Sequence, residues 1–168
     1  AGDGPRGFDP IGNAKEGFSG RFDGSGHVIA DLNINRSNAN SVGLFGYVGS
    51  NGNVSDTHVE SANVTGNTKT GILVGANDGD VRDSTVAGQV DADDIVGGLV
   101  GRNAGDVNTS TANATVNGTG GGGLVGRNFG GIFNSSAIGH VDGAAEVGGL
   151  VGRNTDEVRG SFATGRVN

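Results

Sequence analysis

Internal self-similarity constrains this chain more than any other feature. Leucines stand at positions 44, 73, 99, 124 and 150, so their spacings are 29, 26, 25 and 26 residues. Each sits in a glycine-flanked block, from Gly43-Leu44-Phe45-Gly46 and Gly71-Ile72-Leu73-Val74-Gly75 to Gly149-Leu150-Val151-Gly152. A second column runs in step through Val54, Val81, Val107, Ile132 and Val158. Thr57, Ser84, Ser110, Ser135 and Ser161 form a hydroxyl column. Two residues after each hydroxyl come Val59, Val86, Ala112, Ala137 and Ala163, and a last column holds Val64, Val90, Val116, Val141 and Val167. Repeats with a fixed period of 20–50 residues imply supersecondary units that bury their apolar faces only by stacking on neighbours.

Within a unit the pattern alternates with period two. Val107, Thr109, Thr111 and Asn113 share one parity, and Asn108, Ser110, Ala112 and Ala114 the other. This is strand periodicity, and Gly and Asn cut each unit into two or three short strands. A glycine every few residues opposes any helix. The expected fold is therefore all-β: a parallel β-helix (β-solenoid) of about five to six coils of ~26 residues, with no helix. Like residues then stack about 4.8 Å apart. The turn residues Asn77, Asn103, Asn128 and Asn154 are expected to bond along the stack as an amide ladder.

Stacking explains how the chain manages with 36 glycines, 5% aromatic residues and no Trp, Met or Cys among its 168 residues. Residues 1–40 depart from the pattern. They hold Phe8 and the segment Phe18 to Ile34, and are expected to form an N-terminal lead-in with the first coil or a cap, entered irregularly through Pro5 and Pro10. Residues 41–168 are expected to form one continuous solenoid domain. The chain starts at Ala1, which is expected of a processed or excised chain, and ends at Asn168 as a coil is completed. The open edge there is expected to meet further repeats or a second copy, head to tail, giving a filament.

The blocks Gly-Gly-Leu-Val-Gly-Arg-Asn, followed by Asn-Ser-x-Ala-x-Gly-x-Val, resemble the GLUG repeat. The clearest copies are Gly123 to Val141 and Gly148 to Val167, and Phe18 to Ile34 resembles the segment that often precedes such repeats. The copies at Leu44 and Leu73 depart most, with Phe45 in place of Val and Ile72 in place of Gly. The resemblance implies a secreted or cell-surface protein of bacteria or archaea, structural or adhesive, and carries no catalytic or cofactor residue.

The net charge of −7 argues against a nucleic-acid partner, because phosphate binding needs a basic track. High Asp with little Lys resembles proteins of salt-loving organisms. No run of 18 apolar residues spans a membrane. Sequons at Asn35, Asn53, Asn63, Asn108, Asn113, Asn117 and Asn134 are candidate N-glycosylation sites. Alternation outward from the leucines places Val100, Val125 and Val151 with Arg102, Arg127 and Arg153 on one exposed face, a candidate interaction surface.

Four chemical alternatives stand beside this reading. Asp80 stacked on Asp106, with Asn53 and Glu157 in the same column, has the close spacing of paired glycosidase carboxylates, and a glycan-binding or glycan-cleaving β-helix is the second reading. A solvated turn edge explains the same residues, and no insertion is long enough to wall a cleft. Asp78-Gly79-Asp80 and Asp91-Ala92-Asp93-Asp94 offer oxygens for Ca²⁺, but neither has a calcium-loop spacing, so no cofactor is expected. His27, His58 and His140 are too dispersed for a zinc site, and the Thr-x-Thr pair Thr109 and Thr111 falls short of the flat regular array an ice-binding face needs.

Overall fold

The computed structural model describes residues 6–168; Ala1 and Pro5 lie outside the described residues. The first coil comprises β1 (Arg21–Asp23), β2 (Val28–Ala30), β3 (Asn33–Asn35), β4 (Asn40–Val42) and β5 (Phe45–Val48). The second has β6 (Asn53–Ser55), β7 (His58–Thr65), β8 (Thr68–Gly71) and β9 (Val74–Asn77). The third has β10 (Asp80–Arg82), β11 (Thr85–Asp91), β12 (Asp94–Gly97) and β13 (Val100–Asn103). The fourth has β14 (Asp106–Asn108), β15 (Thr111–Gly118), β16 (Gly121–Gly122) and β17 (Val125–Asn128). The fifth has β18 (Gly131–Phe133), β19 (Ser136–Ala137), β20 (Val141–Gly143) and β21 (Val151–Asn154), and β22 (Val158–Arg159) and β23 (Phe162–Ala163) begin a sixth.

Corresponding strands pair in parallel, so the coil is walled by sheets of six, eight, four and five strands. The fold is the expected β-solenoid, and no helix occurs among the described residues. Registers match the sequence columns. Val54, Val81, Val107, Ile132 and Val158 pair in succession, with Phe22 above them in the first coil. Ile34 heads the column through Val64, Val90, Val116 and Val141, which ends in a bridge to Val167. Phe45 pairs with Val74, which resolves the register of the two divergent copies. Leu73, Leu99 and Leu124 are fully buried in a file, each worth about 1.5–3 kcal/mol relative to exposure.

The coil turns where a residue adopts a left-handed backbone. Asp56, Asp83, Thr109 and Asn134 have φ of 48°, 49°, 47° and 49°, and Gly160 has 61°. Asp and Asn tolerate this region; Thr, being β-branched, is the strained member. The alternation expected unbroken from Val107 to Ala114 therefore breaks at Thr109. Val107, Ser110 and Ala112 all point inward despite mixed parity. The longer second unit gains one residue where Glu60 and Ser61 (φ 53°) bulge out of β7 between Val59 and Ala62, and two more between Val48 and Asn53, whose partners Asn77 and Asp80 stand closer together in the chain.

The conserved spacing of glycines has a second cause besides turning. The four-stranded and five-stranded sheets meet backbone to backbone. A Cβ on Gly97 in β12 would lie 2.0 Å from the Val100 carbonyl oxygen and 2.7 Å from the Gly126 nitrogen. The expected division at residue 40 falls inside the first coil, since β4 begins at Asn40 and pairs with β8 like its later counterparts. Residues of the lead-in lie against the first coil. Bridges Gly7–Ile34, Ile11–Phe45 and Phe18–Val48 lay them across it, and the Phe18 and Phe45 rings pack with centroids 5.1 Å apart.

Candidate functional site

Two internal ladders and one external column concentrate the polar chemistry. The Asn ladder is formed as expected. Asn77 Nδ2 donates to Asn103 Oδ1, Asn103 to Asn128 and Asn128 to Asn154, each at 2.8 Å. The same amides donate to the carbonyls of Gly79, Gly105, Gly130 and Asp156, closing each turn. Asn77, Asn103 and Asn128 are buried, so the ladder is structural and not open to a ligand.

The hydroxyl column performs a task that spacing alone did not reveal. Each hydroxyl donates to the carbonyl two residues back, as Ser84 does to Arg82 at 2.7 Å and Ser110 to Asn108 at 2.8 Å. It also accepts the backbone N–H of its counterpart one coil earlier: Thr57 to Ser84, Ser84 to Ser110, Ser110 to Ser135 and Ser135 to Ser161. These hydroxyls supply acceptors where the left-handed turn interrupts the strand ladder.

On the outer surface Tyr47, Ala76, Arg102, Arg127 and Arg153 pair in one column. The valines beside it do not join them, which corrects the expected face. Val100 and Val125 are 0% exposed and Val151 is half-buried. A corner at Gly98-Leu99 resets the alternation, so the leucine and the following valine both face inward. Phe45, in the valine column, packs against Phe22, in the Val107 column, with centroids 5.3 Å apart. The arginines are outward but neutralised. Arg102 donates to Asp78 at 2.9 Å and lies 5.4 Å over the Phe129 ring. Arg127 and Arg153 share Glu146 at 2.9 and 3.3 Å.

Asp78 also accepts the Tyr47 hydroxyl. That hydrogen bond, more than partial burial, raises the Tyr47 phenol above its usual value of 10.0, against an opposing pull from Arg102. Tyr47 is the only tyrosine and there is no Trp, so alkaline absorbance titration reads it alone. Tyr47 should titrate above the ordinary phenol range, and Asp78→Asn should bring it down. A raised folded pKa means this stabilisation is complete below the ordinary value and lost as pH rises through the folded one. An unchanged titration in Asp78→Asn would show that Asp78 does not hold the hydroxyl.

The remaining candidates are separate. Asp80 does pair with Asp106 and with Asn53, but both carboxylates are exposed and Asp106 is followed by Gly131. Neither of two surface depressions, of about 280 and 260 Å³, includes them; the smaller is lined by Asp91, Asp93 and Asn117 among others. Asn117 donates to Asp91 at 2.7 Å. Among the described residues no three His, Cys, Asp or Glu side chains group in a metal-binding arrangement. His58 pairs with Thr85 and His140 with Asp142, apart from each other. Of the sequons, Asn35, Asn63, Asn113 and Asn134 are exposed, while Asn53, Asn108 and Asn117 are half-buried. Ser55 and Ser110, which complete the sequons of Asn53 and Asn108, are buried. No described helix is long and apolar enough to cross a membrane.

Comparison with known proteins adds to this geometry. The chain is 42% identical over 89 residues, 52% of its length, to Halomucin of Haloquadratum walsbyi. It is 44% identical over 46 residues, 27% of its length, to a protein of Evansella cellulosilytica whose name describes a Gly-rich membrane protein. These matches span 1% and 5% of the two relatives. No solved structure matches the chain. Residues 143–168 match the family described as the GLUG motif, and because the earlier coils repeat the columns of that segment in register, the chain is a solenoid that carries the GLUG motif.

Proposed function

We propose that this solenoid is a non-catalytic, extracellular building element of a cell surface, structural or adhesive in role. The observation that carries the reading is the way polar side chains are spent. The buried Asn and hydroxyl columns bond coil to coil, and the outward arginines bond to neighbouring acids. Such a molecule is a stiff rod whose stability is roughly a sum of neighbour contacts. The names of the two relatives, a mucin and a membrane protein, support a place at the cell boundary. Acidity with net charge −7 keeps the rod hydrated and repels nucleic acid. Exposed Asn35, Asn63, Asn113 and Asn134 are the sequons on which a glycan would fit.

The test is antibody labelling of intact source cells against permeabilised ones. Label on intact cells is expected, and label that requires permeabilisation would overturn the reading. A glycan-cleaving role has less support, because Asp80 and Asp106 stand on an exposed strand face and not in either depression.

A further inference from the structure

The fold sorts the sequons into two kinds. A sequon presents two groups together, the Asn amide and the hydroxyl two residues on. On an unbroken strand, residues two apart share one face. Asn35 ends β3, and Asn63 and Asn113 lie within β7 and β15, all in the eight-stranded sheet. The middle residues Val64 and Ala114 are buried, so Asn63 with Thr65 and Asn113 with Thr115 point outward. Asn35 and Ser37 are both exposed. Asn134, left-handed at φ 49°, stands at the corner that leads into β19 of the same sheet. There Ser135 turns inward, and Ser136 faces out with its hydroxyl 3.0 Å from that of Thr111.

The other three sequons are closed in the folded coil. Left-handed Thr109 parts Asn108 from Ser110, which is 1% exposed and donates its hydroxyl to the Asn108 carbonyl. Ser55 is 3% exposed, and the Oδ1 of its partner Asn53 is buried. Asn117 is half-buried, and its Nδ2 is committed to Asp91 at 2.7 Å. No sequon falls in a strand of the four-stranded or five-stranded sheet.

We propose that the folded solenoid is glycosylated on one side: N-linked glycans at Asn35, Asn63, Asn113 and Asn134 cover the eight-stranded sheet and its margin, and the five-stranded sheet with its arginine column stays bare. One strand, β11, separates β7 from β15, so the coils bearing Asn63 and Asn113 are about 10 Å apart along the axis. The co-reactant is an oligosaccharide joined through phosphate to a lipid. Asn Nδ2 attacks the anomeric carbon and a C–N bond forms. The sugar–phosphate C–O bond breaks, the lipid phosphate leaves with the electron pair, and the amide proton passes to a base of the transferase.

The proposal rests on the extracellular reading and is tested by glycopeptide mass spectrometry of the chain purified from source cells. Glycan mass is expected on the peptides that hold Asn35, Asn63, Asn113 and Asn134, and none at Asn53, Asn108 or Asn117. Asn63→Gln and Asn113→Gln should each lower the mass of the intact chain by one glycan, whereas Asn108→Gln should remove none. Glycan on Asn53, Asn108 or Asn117, or a bare Asn at any of the four outward positions, would overturn the proposal. A chain bare throughout that still labels on intact cells would overturn the glycan assignment and leave the surface reading standing.

Discussion

Asn103→Ala should destabilise the solenoid by about 3–5 kcal/mol, measured by denaturant or thermal unfolding. Asn103 is 0% exposed and stands mid-ladder. Its loss removes the acceptor of Asn77, the donor to Asn128 and the donor to the Gly105 carbonyl. A buried polar group left without a partner costs about 1–3 kcal/mol, and several are orphaned together. Asn103→Val should not rescue it, although Val48 occupies that column. Val48 sits above the ladder, where the Asn77 carbonyl oxygen is met by the Gly79 N–H. A loss below about 1 kcal/mol, the usual size of a surface change, would mean the amides do not bond along the stack.

Gly97→Ala should cost as much, for steric reasons. The added carbon would meet the Val100 carbonyl and the Gly126 nitrogen, both backbone, at 2.0 and 2.7 Å. Neither can rotate away, so two sheets must part along the coil. Overpacking of this kind costs roughly 1–3 kcal/mol in adaptable cores and more where backbone is the obstacle. Gly20→Ala is the control, because its nearest contact is a Phe18 ring atom at 3.5 Å. That change should stay within about 0.5 kcal/mol. Equal effects of the two substitutions would contradict the close approach of the four-stranded and five-stranded sheets.

These two residues show what was legible in the sequence. Asn103 was readable because a ladder requires the same residue at the same place in each coil, and period alone exposes that. The stacking of Val81 on Val107 and Asp80 on Asp106 follows from the same argument. Glycines such as Gly97 signal, in a linear chain, only the breaks that cut each unit into short strands; that its missing side chain lets two sheets touch is a property of the cross-section. The error at Val100 and Val125 has the same origin. Alternation holds only along an unbroken strand, and the corner at Gly98-Leu99 resets it. The left-handed Thr109 does so again between β14 and β15. The departure of residues 7–18 from the repeat was legible, but not the bridges that lay them against the first coil.

The measurement that bears most directly on this account is a proton NMR map of the four side-chain amides. Cross-peaks should link Asn77 to Asn103, Asn103 to Asn128 and Asn128 to Asn154, in single file, with matching contacts between Val81, Val107 and Ile132. Amides isolated from one another, or contacts showing antiparallel neighbours, would mean the coils do not stack in register and the account is wrong.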